Sequence, residues 1–252
     1  MLMSAAIAAL VCVGLLRDMA RATTMVREIR FADAPDWAGD ALLRHLAETA
    51  MTATSEDASP HNRETLSRVR KALDDTGWFA RVDQVQRASD GAIIVTAHFL
   101  APTTIVEDRY GEAIVDGQGR LLPAQCKLDP TAHVIRLTNP RQHRPVRARR
   151  PWESEDVHAG LAVLNQIGTR DWAVQITAID LSQWFRNGRL ILITDRNTRI
   201  IWGSAPGHER PLEAMADRKL VRLDHLYRSS GRVDQHHAGE IDLTDASVVV
   251  RR

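Results

Sequence analysis

Apolar residues recur at helical and then at strand spacing in the first part of the chain, and this pattern predicts the order of its elements. Leu42, Leu43 and Leu46 share one helical face, and Leu66 and Val69 share another. Ser-Asp-Gly at 89–91 separates two β-prone runs, as is typical of a hairpin. The predicted elements are a strand over 26–31, helices over 37–51 and 62–77, and strands over 81–88 and 92–100.

The second part of the chain alternates β-prone runs with two amphipathic helices. Its predicted elements are strands over 103–109, 112–122, 172–181, 188–195, 198–203 and 241–250, and helices over 153–168 and 211–229. The later helix places its apolar side chains inward, namely Leu212, Ala216, Leu220, Leu223 and Leu226. We expect a larger, mostly antiparallel β domain with two helices, within an α+β protein.

The last predicted strand is the most β-prone stretch of the chain. It reads IDLTDASVVV over 241–250, and only Arg251 and Arg252 follow it in the sequence. Alternation does not decide which face is buried, because Val248 to Val250 are apolar on both faces. An open strand edge invites pairing with another chain, and natural proteins usually protect such edges. The alternative is an interior strand that is paired on both sides.

An uncharged apolar run occupies residues 1–16. As a helix it would span about 24 Å, against about 30 Å of hydrocarbon in a bilayer. Three interpretations are open: a secretory signal, a buried helix, or a membrane anchor preceded by further residues in the native chain. We favour the anchor, over residues 1–20. Arg17, Arg21 and Arg27 follow the run and by the positive-inside rule favour a cytoplasmic flank, which a basic segment upstream would offset.

Charge and cysteine usage exclude several function classes. The 252 residues carry 33 basic and 32 acidic side chains, so no overall field attracts nucleic acid. The segment 141–151 has five arginines and no acid, and we interpret it as a solvated loop rather than a phosphate-binding patch because Glu-Ser-Glu-Asp follows soon after. Cys12 and Cys126 are the two cysteines, and we expect no disulfide between them and no cysteine metal site.

Motifs for catalysis or cofactor binding are absent from the sequence. No glycine-rich phosphate loop, HExxH or CxxC motif occurs. Ser204 lies in Trp-Gly-Ser-Ala-Pro-Gly, which predicts a turn rather than a nucleophile elbow. Several possible metal ligands lie close in sequence without a fixed spacing, and we expect exposed polar residues there: His225, Asp234, His236, His237 and Glu240. We therefore expect no enzyme, no metal, no cofactor and no small-molecule substrate.

The order of these parts resembles one family of bacterial cell-division proteins. The residues that carry the resemblance are VREIRF, ALDDTGWFARVDQVQRASDGAIIVTAHFLAP, EAIVDGQGRLL, WAVQITAIDLS, GRLILITDRNTRIIWGSAP, ADRKLVRLDHL and IDLTDASVVVRR. In this order they resemble the FtsQ family, called DivIB in some lineages. The resemblance implies a short membrane helix over 1–20, a POTRA-like βααββ domain over 25–101 and an FtsQ-type β domain over 102–252. The proline of the family's motif before the second hairpin is missing from Val-Glu-Asp-Arg-Tyr-Gly-Glu-Ala-Ile.

The resemblance also implies a function. FtsQ-like proteins are non-enzymatic, single-pass scaffolds of the inner membrane whose bulk is periplasmic. They recruit other division proteins, notably the coiled-coil pair FtsB and FtsL, partly by adding a partner strand to their last strand. The corresponding contact candidates here are Thr244, Ser247, Val248, Val249 and Val250. Replacing Val249 by proline would remove a ladder donor and test this docking.

Two other classes remain open from the residues alone. A POTRA-bearing transport or secretion component would need a β-barrel downstream. A soluble α+β hydrolase would use His225, His236 or His237.

Overall fold

A computed structural model describes most of the chain as two compact units. The described residues are 26, 28–54, 63–128, 132–236, 239–245 and 249–251, the last three by their backbone. The first unit ends at Leu100 and the second begins at Ala101. The predicted membrane anchor over 1–20 lies outside the described residues. Within the described ranges, no helix has both the length and the apolar character needed to cross a bilayer.

The first unit contains two helices and a three-stranded sheet, in the predicted order. Its elements are β1 (Ile29–Phe31), α1 (Asp40–Thr52), α2 (Arg63–Asp75), β2 (Phe79–Arg87) and β3 (Ile93–Phe99). The sheet order is β1-β3-β2, with β1 parallel and β2 antiparallel to the central β3. The two helices follow β1 and precede β2 in the chain. Strands β1 and β2 lie on opposite sides of β3 in the sheet.

The core of the first unit combines helix leucines with aromatic rings of the sheet. Leu46 on α1 and Leu73 on α2 are fully buried. The rings of Phe79 and Phe99 lie 4.6 Å apart, and Phe31 stacks on Phe79 at 6.1 Å. Aromatic pairs at these separations add to the stabilisation from burial alone. The spacing of apolar residues on α1 and α2 therefore identifies the faces that pack inward.

The second unit is a single eight-stranded sheet with its helices. Its elements are β4 (Thr104–Asp108), β5 (Gly111–Val115), β6 (Arg136–Thr138), α3 (Glu155–Ile167), a 3-10 helix (Asp171–Gln175), β7 (Ile176–Asp180), α4 (Trp184–Asn187), β8 (Leu190–Thr194), β9 (Arg199–Gly203), α5 (Ala216–Ser230), β10 (Glu240–Asp242) and β11 (Val249–Arg251). The sheet order is β11-β10-β9-β8-β7-β6-β4-β5. The α+β class is thus confirmed.

The sheet is mixed, so the prediction of a mostly antiparallel domain needs correction. Three of its seven pairings are parallel, those of β4 with β6, β6 with β7, and β9 with β10. Parallel neighbours need a long crossover, and here α3 connects β6 to β7 while α5 connects β9 to β10. The strand β6, which the apolar pattern did not predict, creates two of the three parallel pairings. Each of the two long helices thus forms a crossover of the sheet.

A row of buried side chains runs across the sheet on the face that the helices cover. Leu137, Ile179, Leu192, Ile200 and Ile241 are consecutive register partners, and each is fully buried. Helix α3 lies close to this row, since a Cβ atom at Gly160 would come within 3.0 Å of Leu137. The register therefore extends one continuous core from β6 to β10.

Helix α5 begins later than predicted. It starts at Ala216 rather than at Pro211, and Leu212 lies in the preceding loop with φ of 68° and a fully exposed side chain. The prediction that Leu212 faces inward is therefore wrong, because the chain before Ala216 is not helical. Leu220, Leu223 and Leu226 are buried as predicted.

Candidate functional site

The C-terminal segment forms two short strands rather than the single strand predicted over 241–250. Strand β10 ends at Asp242 and strand β11 begins at Val249. The Asp242 carboxylate accepts hydrogen bonds from the Thr244 N–H at 2.9 Å and from the Thr244 hydroxyl at 2.6 Å. Aspartate and threonine favour such local turns over extended strands. The two strands pair antiparallel, and we call them the terminal hairpin.

The register determines which peptide groups of the terminal hairpin face outward. On the β9 side, the Leu243 N–H donates to Ile201 O at 3.0 Å, and Gly239 O accepts from Arg199 N–H at 3.0 Å. Since peptide groups alternate along a strand, those of Glu240 and Asp242 point towards β11. The N–H and C=O groups of their register partners, Arg251 and Val249, therefore point back towards β10.

The N–H and C=O of Val250 consequently point away from β10. Val250 pairs with Ile241, and it lies between the two residues whose peptide groups point towards β10. Strand β11 is the last strand in the sheet order, so within the described ranges no further strand pairs with it. We call the outer side of Val249–Arg251 the docking edge.

The opposite edge of the sheet, formed by β5, is covered by the chain itself. The Leu122 N–H donates to Ile114 O at 2.9 Å. The guanidinium of Arg144 donates to Glu112 O at 2.9 Å and to Gly111 O at 2.7 Å. The contacts at Ile114 O and Glu112 O occupy outward carbonyl groups of β5 that a foreign strand would otherwise use. The two edges of the sheet therefore differ in how far the protein protects them.

The turn that follows β10 is held from two sides. The Ala214 N–H donates to Thr244 O at 2.9 Å. From α5, the Arg222 guanidinium donates to Leu243 O at 3.0 Å and also to Asp245 O. The loop before α5 and the helix itself thus fix the position of residues 243–245. Thr244, one of the predicted contact residues, is partly buried in this turn.

A buried ionic network lies next to this turn. Lys219 is completely buried, and its Nζ donates to Glu213 Oε1 at 2.6 Å. Ser204 donates to the same carboxylate, from Oγ at 2.6 Å and from N–H at 2.8 Å. Burial acts to raise the pKa of Glu213, but the hydrogen bonds from Lys219, Ser204 and the Arg210 N–H outweigh it and lower that pKa. Glu213 is therefore held as a carboxylate.

Sequence reasoning did not identify Glu213 or Lys219 as important residues. A signal was present, because Lys219 follows Ala216 by three residues and so falls on the inward side of α5, where a charge needs a partner. Ser204 was singled out only as a turn residue, and it does lie in the loop after β9. Its hydroxyl proton is directed at Glu213.

The other predicted site residues are distributed as follows. Ser247, Val248 and His237 lie outside the described residues, and Val249 and Val250 lie in β11. Asp234 is buried and accepts two hydrogen bonds from Arg232, at 2.8 and 2.7 Å. In the described part of the chain, no three potential ligands lie close enough together to hold a metal ion.

The arginine-rich segment 141–151 takes part in the structure of the second unit. Arg144 forms an ion pair with Asp108, whose side chain is 1% exposed. Arg141 lies over the Phe185 ring, with its guanidinium carbon 4.5 Å from the ring centroid. These two side chains make contacts within the unit, and the segment as a whole is an irregular, mostly exposed loop, as predicted. Cys126 is buried as well, and burial raises the pKa of its thiol to about 11.

The described residues thus form an α+β protein whose larger sheet has one edge covered by its own chain and another edge, β11, with no further described strand paired to it. A scan against protein-family models and a search of curated proteins found no match to this chain.

Proposed function

We propose that this chain is a non-enzymatic, membrane-anchored scaffold of the bacterial division machinery, of the FtsQ type. In this proposal residues 1–20 form a single-pass anchor in the inner membrane, and the two units are periplasmic. The chain recruits coiled-coil division partners resembling FtsB and FtsL. It uses no cofactor, nucleic acid or small-molecule substrate.

One observation supports the docking mechanism most directly: strand β11 ends the sheet, whereas the opposite edge is covered. An extended partner segment can pair with an open edge through main-chain hydrogen bonds. At β5 the same pairing would have to displace Leu122 and Arg144 from carbonyl groups that they already occupy. The difference between the edges favours the C-terminal one as the place of strand addition.

The first unit supports the proposal at the level of topology. Its element order is strand, helix, helix, strand, strand, with the parallel pair β1–β3 and the antiparallel pair β2–β3. We propose that it is a POTRA-type domain and that the second unit, from Ala101, is the FtsQ-type β domain. For the second unit, the proposal is supported by the large mixed sheet that ends at β11.

The register refines the roles of the proposed contact residues. Val250 would offer its N–H and C=O to the partner strand, because its peptide group points outward. Val249 would hold β11 onto β10 instead. Thr244 acts by fixing the turn that precedes β11. Proline at 249 would therefore disrupt the hairpin itself, whereas proline at 250 would remove only an outward donor.

The proposed cellular role can be tested with a fluorescent fusion of the full chain in dividing cells. We expect the signal at mid-cell, together with digestion of the two units by protease added to spheroplasts. A diffuse cytoplasmic signal, or units protected from external protease, would overturn the proposal. The matched control is the same fusion without residues 1–25, which should lose its membrane association.

A further inference from the structure

We infer that Glu213 and Lys219 are positioning residues that hold the terminal hairpin, and so the docking edge, in place. This inference deepens the proposed function and rests on it for its biological meaning. Its physical content is that one buried ion pair contributes to how firmly β10 and β11 stay attached to β9. Neither residue lies in β11 itself.

The first step is that Glu213 is fixed by four hydrogen bonds. Its carboxylate accepts from Lys219 Nζ at 2.6 Å, from Ser204 Oγ at 2.6 Å, from Ser204 N–H at 2.8 Å and from Arg210 N–H at 3.2 Å. Lys219 is itself enclosed, since its Nζ lies 5.2 Å from the centroid of the Trp202 ring. A buried lysine and a nearly buried glutamate are tolerated only as a hydrogen-bonded pair. The loop around Glu213 thus has little freedom to move.

The second step is that this loop contacts the hairpin directly. Ala214, the neighbour of Glu213, donates its N–H to Thr244 O at 2.9 Å. At Gly203, an added Cβ would lie 2.2 Å from Glu213 Oε1 and 2.6 Å from Thr244 Cγ2, so both side chains close over the same glycine. Gly203 also has φ of 89°, which favours glycine. A displacement of Glu213 would therefore move Thr244 with it.

The third step is that, among the described residues, β10 is attached by a short ladder, by two buried side chains and by the contacts of the turn that follows it. Strand β10 has only three residues, Glu240 to Asp242, and pairs with β9 over that length. Ile241 and Leu243 are buried, which attaches β10 to the core. Short edge elements with few ladder bonds open locally at low free energy. The contact between Ala214 and Thr244 therefore acts together with the bonds from Arg222 to Leu243 O and Asp245 O in holding the turn that follows β10.

Hydrogen exchange on the full 252-residue chain tests this inference without any partner. Peptides covering 210–216 and 239–245 report on the loop and the hairpin, and peptides covering β4 and β8 report on the rest of the sheet. We expect Glu213→Gln to speed exchange in the first two peptides by about 100-fold, because it leaves Lys219 without its counter-charge. Ser204→Ala keeps the ion pair but removes one hydrogen bond to Glu213, and it should speed exchange by about three- to tenfold.

The matched control is Asp108→Asn, which removes another ion pair with a buried acid in this unit, between Asp108 and Arg144. That pair attaches to β4, far from the hairpin in the sheet order. We expect exchange near β4 to rise in this variant and exchange over 239–245 to stay as in the wild type. If Glu213→Gln left the hairpin peptides unchanged, or raised β4 and β8 equally, the inference would be overturned.

The positioning role and the proposed function can be refuted independently of each other. If the wild-type chain bound no division partner, the proposed function would fall, whereas the exchange result would stand. If the chain bound its partner but Glu213→Gln and Ser204→Ala both exchanged like the wild type, only the positioning role would fall. Where Glu213→Gln does not fold, Ser204→Ala provides the decisive comparison.

Discussion

Arg144 surrounds the carboxylate of Asp108 with three hydrogen bonds. Its Nη2 donates to Oδ1 at 2.5 Å, and its Nε and backbone N–H donate to Oδ2 at 3.1 Å each. The remaining guanidinium N–H groups reach the carbonyls of β5. One side chain thus neutralises a buried acid and covers the sheet edge that the proposed docking mechanism does not use.

Replacing Arg144 by methionine should destabilise the second unit by about 3 kcal/mol, because it leaves Asp108 buried without a counter-charge. Urea unfolding followed by circular dichroism would measure this change. Arg136→Met is the matched control, since Arg136 pairs with an exposed glutamate, Glu112. That control should lose less than about 1 kcal/mol. Equal losses in the two variants would contradict a special role for the buried pair.

The same pair predicts a dependence of stability on acid pH. Burial acts to raise the pKa of Asp108, but hydrogen bonds from Arg144 and from the Tyr110 N–H outweigh it and hold the pKa at about 2. Since this pKa lies below the unfolded value, the stabilisation is fully present above about pH 4 and is lost as the pH falls towards 2. The loss should amount to about 2 kcal/mol. Unfolding curves between pH 5 and pH 2 would show it in the wild type and show a smaller loss in Asp108→Asn.

Truncation of Leu212 and of Leu223 should change the free energy of unfolding by very different amounts. Leu212 is fully exposed, so Leu212→Ala should change the free energy of unfolding by less than about 0.5 kcal/mol. Leu223 is fully buried on α5, and Leu223→Ala should cost about 3 kcal/mol. Thermal unfolding of the two variants would separate them. A large loss on truncating Leu212 would mean that the helix extends back to Pro211, as its sequence pattern suggests.

The sequence predicts most elements of this fold because their apolar spacing is regular. Helices α1, α2 and α3 and strands β2, β3, β8 and β9 all carry that signal. Strand β6 has only three residues, Arg136–Thr138, so its apolar pattern is too short to detect. Two of the three parallel pairings involve β6 and were missed for that reason. The third, between β9 and β10, depends on the α5 crossover and was not predicted either.

The candidate site was harder to predict than the fold. The β-propensity of 241–250 is high, but the side-chain bonds between Asp242 and Thr244 end the strand after three residues. Glu213 and Lys219 are six residues apart and meet only because Glu213 lies in a loop that folds back over Ser204. Such a contact depends on tertiary structure and leaves no periodic signal.

The most direct test of the central claim compares Val250→Pro with Val250→Ala in the full chain. Proline removes the outward N–H of the docking edge, whereas alanine keeps it and changes only the side chain. The measurement is the amount of the FtsB-like coiled-coil protein of the same cell that co-purifies with each variant at equal expression. Strand addition at β11 predicts near-complete loss with proline and retention with alanine. Equal recovery with both variants would contradict it.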